Sequence, residues 1–383
     1  MRYINRDIEE RVKRDLEKKM VFISGPRQSG KTTLAKKISL EYMGERSADF
    51  YLNWDATRDR EMIIREQFPA GKGLLVLDEI HKYSRWRQVV KGLYDKRHSD
   101  LKIIVTGSGR LDYYRQGGDS LQGRYHFWRL YPFALNEVHA VHDEALKLLL
   151  IYGGFPEPFL SASERESKRW SREYRTHIIY EELNSLENVK DLALLENLSL
   201  RLPEMVGSPL SINALREDLQ VSHQTVSRWL KMLENIYMIF RIYPFGQAKS
   251  RAVKKASKHY HFDWTVIEDD GARFENLVAC HLLKWVSFNQ DYEGRNVELR
   301  YFRDVERREV DFVVTENEKP IQFIECKLRG REINPALRYL KKQYPDVYAA
   351  QISFYRTDDF VTKEGIHVCP AGKYLSGLAP QAI

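Results

Sequence analysis

The stretch MVFIS followed by GPRQSGKTT, residues 20–33, constrains this chain more than any other. A short apolar run, a glycine, four residues and then Gly-Lys-Thr is the spacing of a phosphate-binding loop, and it requires a strand before the loop and a helix after it. The glycines let backbone N–H groups curl around phosphate oxygens, and the helix TLAKKISLEYM presents its positive end to them. Gly25, Pro26, Arg27, Gln28, Ser29, Gly30, Lys31, Thr32 and Thr33 therefore form the candidate nucleotide site. Lys31 is expected to reach the β/γ-phosphates and Thr32 to hold Mg²⁺, which makes ATP and Mg²⁺ the expected cofactors.

The partner of the loop is LLVLDE, 46 residues on. GLLVLDE (73–79) is a nearly continuous apolar run, as a strand buried on both faces of a parallel sheet must be. Asp78 at its end would reach magnesium through water, and Glu79 is the residue type that polarises an attacking water. Binding alone does not require Glu79, so hydrolysis is expected, and a small-molecule kinase built on the same loop is the weaker alternative. Further strands are expected at FYLNW (50–54) and LKIIVTGSG (101–109), and an amphipathic helix over 1–19 from Ile4, Ile8, Val12 and Leu16. Strands alternating with helices at this spacing make an α/β doubly wound core. Two roles are open for Thr106 or Ser108 at the end of the fourth strand: sensing the γ-phosphate, or forming a turn. Arg124 would stabilise a transferring phosphoryl group, in cis or from a neighbouring subunit, or else form a structural salt bridge.

At 383 residues the chain exceeds one ordinary core, and two to three domains are expected. No apolar run approaches a membrane span and the N-terminus is charged throughout, so a cytoplasmic protein with no membrane partner is expected. Cys280, Cys326 and Cys369 lack metal-ligand spacing and read as small buried residues. The net charge of +7 matters through its distribution. Residues 247–261, QAKSRAVKKASKHYH, hold five Lys/Arg, two His and no acid, which suits either phosphate neutralisation or a solvated linker.

Downstream, 137–202 reads as helical, interrupted by YGGFPEP. In SINALREDLQVSHQTVSRWLKMLE (211–234) the apolar positions Ile212, Leu215, Leu219, Val221, Val226, Trp229, Leu230 and Leu233 have helix–turn–helix spacing, with Ser222 placed to cap the second helix. His223, Gln224, Thr225, Ser227 and Arg228 would face phosphates or base edges, and the strand IYMIFRIYP that follows would make the unit winged. Winged helices also serve as protein contacts, so DNA and a protein both stand as partners. ELRYFRD, REVDFVVTE and IQFIECKLR are three strand-like runs, followed by the helical PALRYLKKQY and the strand YAAQISFY. Asp311 lies on the second of these runs, and Glu325 and Lys327 lie on one face of the third. Asp311 and Glu325 on adjacent strands would share a divalent metal, with the Cys326 carbonyl as a further oxygen ligand, Lys327 orienting or deprotonating a water or stabilising the developing charge, and Glu275 of RFEN completing the set.

The order helix–strand–strand–strand–helix–strand, with E, D and ExK so placed, resembles the core of restriction-endonuclease-like, PD-(D/E)xK, nucleases. Taken end to end, GPRQSGKTT, LLVLDEI, IIVTGSG, SLQGRYHFWRLYPFALNE, YGGFPEP, VSHQTVSRWLKMLE, KHYHFDW, ARFENLVA, REVDFVV and IECK resemble a prokaryotic AAA-type ATPase family. Its members join an N-terminal ATPase, a winged helix and a C-terminal endonuclease-like domain. The resemblance implies an AAA-type ATPase domain at 1–136, a helical lid or linker at 137–205, a winged helix–turn–helix at 206–246 and an endonuclease-like α/β domain at 247–383. It implies an ATPase that couples nucleotide state to a DNA-facing tail, or a nucleotide-switched regulator whose tail does not cleave. Assembly into a homo-oligomer fits that family.

Overall fold

The computed structural model describes residues 3–108, 111, 121–138, 142–183, 191–246, 257–330 and 332–378. It divides into two compact units, Met1–Pro132 with Asn235–Tyr237, and Phe133–Glu234 with Met238–Ile383. No helix among the described residues is long and apolar enough to cross a membrane.

The first unit runs α1 (Glu9–Asp15), β1 (Met20–Ser24), α2 (Lys31–Met43), β2 (Tyr51–Asn53), α3 (Thr57–Ile64), β3 (Gly73–Asp78), α4 (Trp86–Arg97), β4 (Leu101–Thr106) and β5 (Tyr125–Arg129). Its sheet has the order β2-β3-β4-β1-β5, and every pairing is parallel. Every residue of β1 and β3 is buried, as their unbroken apolar runs require of strands covered on both faces. Phe22, Leu75, Leu77, Ile103, Val105 and Trp86 form the core on one face. The helix at the N-terminus is shorter than its periodicity suggested, and β5 was not anticipated from the sequence.

The parallel register has a functional consequence. Asn53 pairs with Asp78, Asp78 with Thr106, Thr106 with Ile23 and Ile23 with Trp128. The carboxyl ends of all five strands therefore lie in one row, the edge at which open α/β sheets bind ligands.

The second unit opens with helices α5 (His142–Tyr152), α6 (Pro156–Ser161), α7 (Glu164–His177) and α8 (Leu192–Arg201). Next come α9 (Ile212–Leu219), α10 (His223–Asn235), β6 (Ile239–Pro244), β7 (Lys258–His261) and α11 (Asp270–Asp291). The chain ends with β8 (Val297–Arg303), β9 (Glu309–Glu316), β10 (Lys319–Lys327), α12 (Pro335–Gln343), β11 (Tyr348–Ser353), β12 (Phe360–Val361), β13 (Ile366–Pro370) and α13 (Ala371–Ser376). The sheet order is β12-β13-β11-β10-β9-β8-β6-β7. β8, β9 and β10 form an antiparallel meander, and β11 then pairs parallel with β10 because α12 carries the chain back. Leu337 and Leu340 of α12 pack with Val310, Val313, Phe323 and Ala349 beneath it.

The strand after the helix–turn–helix is not a free wing. β6 pairs antiparallel with β7 and, at Tyr243 and Pro244, parallel with β8, a contact that the Phe245 N–H on Tyr301 O continues at 2.7 Å. The pair β6–β7 is thus joined to the C-terminal sheet by a short seam, and residues 247–256 between them lie outside the described residues.

Candidate functional sites

The loop after β1 is shaped by contacts that only particular residues permit. Gly25 has φ +146°, and a Cβ there would come within 2.2 Å of the Leu130 carbonyl oxygen. That close approach exists because Leu130 N–H donates to Ser24 O at 2.8 Å, extending the β1–β5 pairing past the strand end. Gly30, at φ 96°, caps α2 in a left-handed conformation that a side chain would strain. A buried arginine outside the motif secures the loop. Arg6 donates from Nη1 to Ser29 O at 2.7 Å and from Nη2 to Tyr131 O. Sequence reasoning missed Arg6, since nothing in its neighbourhood marks it.

Lys31 opens α2, buried, and its ammonium donates to Gly25 O at 3.1 Å and Pro26 O at 2.7 Å. These acceptors are neutral, and a phosphate oxygen is the stronger partner for an ammonium. Thr32 Oγ1 donates to Asp78 Oδ2 at 2.8 Å. Tyr51 donates to the same oxygen at 2.6 Å, and Thr106 donates to Asp78 Oδ1. Burial, then the Asp78 carboxylate, raises the Tyr51 pKa, so the hydroxyl stays a donor. Glu79 follows in a left-handed conformation, φ 56°, held by its N–H on Thr106 O at 3.1 Å. Its Oε2 lies 3.7 Å from His81 Nε2 and 3.7 Å from Lys82 Nζ. Ser108 Oγ lies 3.4 Å from the same His81 nitrogen, at the end of β4.

The structure thus brings Lys31, Thr32, Asp78, Glu79, Thr106 and Ser108 to one sheet edge. It does not bring Arg124 there. Arg124 precedes Tyr125, which pairs with Met20, so it stands at the start of β5 while the loop follows the end of β1. Five strand residues separate those edges, about 15 Å at strand rise. There Arg124 pairs with Asp95 at 2.7 Å on the surface. A role in cis on the phosphates of its own chain is excluded by this placement, which leaves the salt bridge and the role in trans. Residues missed at this site are Tyr51, on β2 two residues before the Asn53 that pairs with Asp78, and His81, visible in LDEIHK only as a residue two past Glu79.

In the second unit, Ser222 Oγ accepts the Thr225 N–H at 3.0 Å and caps α10 as its spacing predicted. Leu215, Leu219, Val226, Trp229, Leu230 and Leu233 are buried, while His223, Gln224 and Arg228 are exposed and Thr225 and Ser227 half-buried.

The C-terminal carboxylates converge, but around a lysine. Lys258 opens β7 and is fully buried. Its Nζ lies 2.7 Å from Glu309 Oε1, 3.4 Å from Glu275 Oε1 and 3.9 Å from Asp311 Oδ1. Burial opposes its charge, yet Glu275, Asp311 and Glu309 outweigh burial and raise its pKa. Tyr260, two residues on and on the same face, donates to Glu275 Oε1 at 2.7 Å. Asp311 Oδ2 accepts the Cys326 N–H at 2.8 Å. Burial, then the neighbouring Glu275 and Glu325 charges, pushes the Asp311 carboxyl well above the ordinary carboxylate range. Glu325 Oε1 meets Lys327 Nζ at 2.6 Å, and its buried Oε2 has no hydrogen-bond partner. Among the described residues, no group of three or more His, Cys, Asp or Glu side chains is placed to hold a metal ion.

Lys258 corrects the reading of 247–261 as one basic cluster. Lys258, His259 and His261 are buried in β7 and unavailable to phosphates, and the remaining basic residues of that segment lie outside the described residues. Glu309 and Tyr260 were missed with Lys258. The alternation E-V-D on β9 was the available signal for Glu309, because it shares the Asp311 face.

An AAA domain model matches residues 17–139. Two domains of unknown function follow, DUF8612 at 143–267 and DUF4143 at 270–374. An uncharacterized protein of Haemophilus influenzae is 25% identical over 326 residues, 76% of this chain and 78% of its own length. The uncharacterized protein MJ1544 of Methanocaldococcus jannaschii is 25% identical over 399 residues, 93% of this chain and 86% of its own. The structure of the Aeropyrum pernix ORC1 protein in complex with DNA covers 73% of this chain and 93% of that chain, at 13% identity and a TM-score of 0.37, too low to carry an argument. The N-terminal region is therefore an AAA-type domain by its match and by its loop, and the alignment to the archaeal relative runs through all three segments.

Proposed function

We propose that the chain is an ATP-hydrolysing AAA-type switch whose nucleotide state controls a DNA-facing second unit. The observation that carries the hydrolysis reading is the bond between Thr32 Oγ1 and Asp78 Oδ2, with Glu79 next in the chain. It joins the two residues expected around a nucleotide-bound magnesium ion and sets the candidate water-polarising carboxylate beside them. Bound ATP–Mg²⁺ would supply the phosphoanhydride and the charge that polarises it. This chain's residues would grip and orient: Lys31 exchanges its carbonyl partners for β/γ-phosphate oxygens, Thr32 and Asp78 hold the cation, Glu79 orients water, and Thr106 or Ser108 reads the γ-phosphate.

Phosphate release without any acceptor is the test. Turnover by wild type, lost in Lys31→Ala and in Glu79→Gln, supports the reading. Silence in wild type, or turnover unchanged by Lys31→Ala, overturns it, and turnover only with an added small-molecule acceptor would identify a kinase instead.

The DNA-facing part rests on the exposed His223, Gln224 and Arg228 at the start of α10, read as the second helix of a winged helix–turn–helix. Gel shifts in ADP and in a non-hydrolysable ATP analogue, at several salt concentrations, should differ with nucleotide and weaken in Arg228→Ala. A second reading, cleavage of DNA by a PD-(D/E)xK-like C-terminal domain, is favoured by the convergence of Glu275, Asp311, Glu325 and Lys327 on adjacent elements. Plasmid nicking with Mn²⁺ that disappears in Asp311→Ala would establish it.

A further inference from the structure

We infer that the cation of the C-terminal carboxylate site is the Lys258 ammonium, and that the site takes no divalent metal. The inference stands against the cleavage reading of these strands and is independent of the ATPase reading. A metal-dependent site of this kind needs carboxylates whose charge is left for the ion. Here each carboxylate already faces a cation of the chain. Glu275 and Asp311 face Lys258, Glu309 lies between Lys258 and Arg303, the latter at 3.0 Å, and Glu325 meets Lys327 at 2.6 Å.

Geometry supports the same assignment. Lys258 enters from β7, a strand of the β6–β7 pair, and its side chain has no solvent exposure through which to withdraw. An ion seated between Glu275 and Asp311 would share their oxygens with an ammonium already within 3.4 and 3.9 Å. Asp311 gives its other oxygen to the Cys326 N–H, which fixes the carboxylate to β10. Among the described residues of this cluster, Glu325 Oε2 is the one buried carboxylate oxygen without a hydrogen-bond partner, and one such oxygen does not make a divalent site. The cluster is thus a structural joint that ties β7, α11, β9 and β10 together, four carboxylates held by the three cations Lys258, Arg303 and Lys327, with Lys258 in the place of a metal.

The test is the melting temperature of the nucleotide-free full chain against millimolar Mn²⁺, for wild type, Asp311→Asn, Lys258→Arg and Lys258→Met. We expect no saturable Mn²⁺-dependent rise in wild type or Lys258→Arg, and a rise in Lys258→Met, where the metal replaces the missing charge. A rise in wild type that Asp311→Asn removes overturns the inference, as does a folded Lys258→Met with no response to Mn²⁺. Should Lys258→Met fail to fold, the wild-type and Asp311→Asn arms decide alone, silence in both supporting the assignment. Plasmid nicking by wild type, lost in Asp311→Ala, would overturn it too. Phosphate release measured on the same wild-type preparation reports separately on the ATPase reading.

Discussion

Each unit of this protein sets an aspartate on a buried strand and surrounds it with donors, and the two sets of donors differ in charge. Asp78 accepts from three hydroxyls, those of Thr32, Tyr51 and Thr106. Asp311 accepts a backbone N–H and faces the Lys258 ammonium. Hydroxyl donors satisfy lone pairs without bringing a positive charge of their own, so the donor set around Asp78 leaves the cation to a ligand. At Asp311 burial and the Glu275 and Glu325 charges press the carboxyl toward its neutral form, and the Lys258 ammonium acts against them. The lysines follow the same division, since Lys31 rests on neutral carbonyls while Lys258 and Lys327 rest on carboxylates. On the readings proposed above, one site exchanges partners with a ligand and the other is satisfied from within.

The largest effect that would test this contrast is on stability. Removing one member of a buried ion pair leaves the other uncompensated, at a cost of about 3–5 kcal/mol. Lys258→Met should therefore lower the melting temperature of the second unit more than any single change at the nucleotide loop. A variant as stable as wild type would mean that the carboxylates around Lys258 are not charged together, and the contrast would fail. Next in size is Lys31→Ala, which on the proposed reading removes a donor to the charge that develops in phosphoryl transfer. Losses of about 10²–10³-fold in turnover are expected, with the melting temperature nearly unchanged in the absence of nucleotide. A large melting shift would show that Lys31 is structural, like Lys258.

A smaller effect separates the units by pH. His281 is fully buried, with Nδ1 2.8 Å from Leu277 O and Nε2 3.0 Å from the Leu135 nitrogen. That arrangement fixes a neutral ring in which Nδ1–H donates and Nε2 accepts, and burial first of all brings its pKa down to about 4. A folded pKa below the unfolded value means that the unfolded chain binds the proton first. The stabilisation is complete above about pH 6.5 and is lost as pH falls toward 4, on the order of 3 kcal/mol for this residue. His259, also brought down to about 4, adds with the same sign, whereas the raised Asp263 and Asp311 act oppositely. Melting followed from about pH 7 to pH 5 should show the loss in wild type and a shallower slope in His281→Gln. Equal slopes would mean that His281 charges freely in the fold. At the nucleotide site, Tyr51→Phe removes one of three hydroxyl donors to Asp78, worth about 1 kcal/mol, and should change turnover by no more than about fivefold. A far larger loss would show that hydroxyls at Asp78 are not interchangeable.

How much of this was legible depended on whether the chemistry was local in the chain. The nucleotide loop is covalently contiguous, and GLLVLDE announces a strand buried on both faces, so Lys31, Thr32, Asp78 and Glu79 were readable from their own neighbourhoods. Helix capping by Ser222 was local for the same reason. Lys258 was not readable. In QAKSRAVKKASKHYH it is one of five cations, and only the β6–β7 pairing and the approach of α11 bury it among acids. Arg124 failed differently. Eighteen residues after β4 sounds near the site, but the chain first has to return to the start of a parallel strand, and that return puts Arg124 at the opposite edge. Spacing in sequence gives distance along the chain, and a parallel crossover reverses which end of the sheet that distance reaches.

That reversal makes the smallest effect the most discriminating. Arg124 and Asp95 form a pair on the surface, where solvent screens it, so Arg124→Ala should leave the melting temperature unchanged. Within one chain the guanidinium is about a strand's length from the loop, so turnover in dilute solution should also be unchanged. A neighbouring subunit could present the same arginine to the loop from outside. Phosphate release per chain, measured over a range of protein concentrations, separates the cases. If wild-type turnover per chain rises with concentration and Arg124→Ala stays flat, the arginine acts in trans and the first unit completes its site by assembly. Equal and constant turnover leaves Arg124 as a surface ion pair. The first unit would then depend only on the row of strand ends that holds Lys31, Thr32, Asp78 and Glu79, and both units would carry their site within one chain, differing only in whether the carboxylates keep their charge for a ligand.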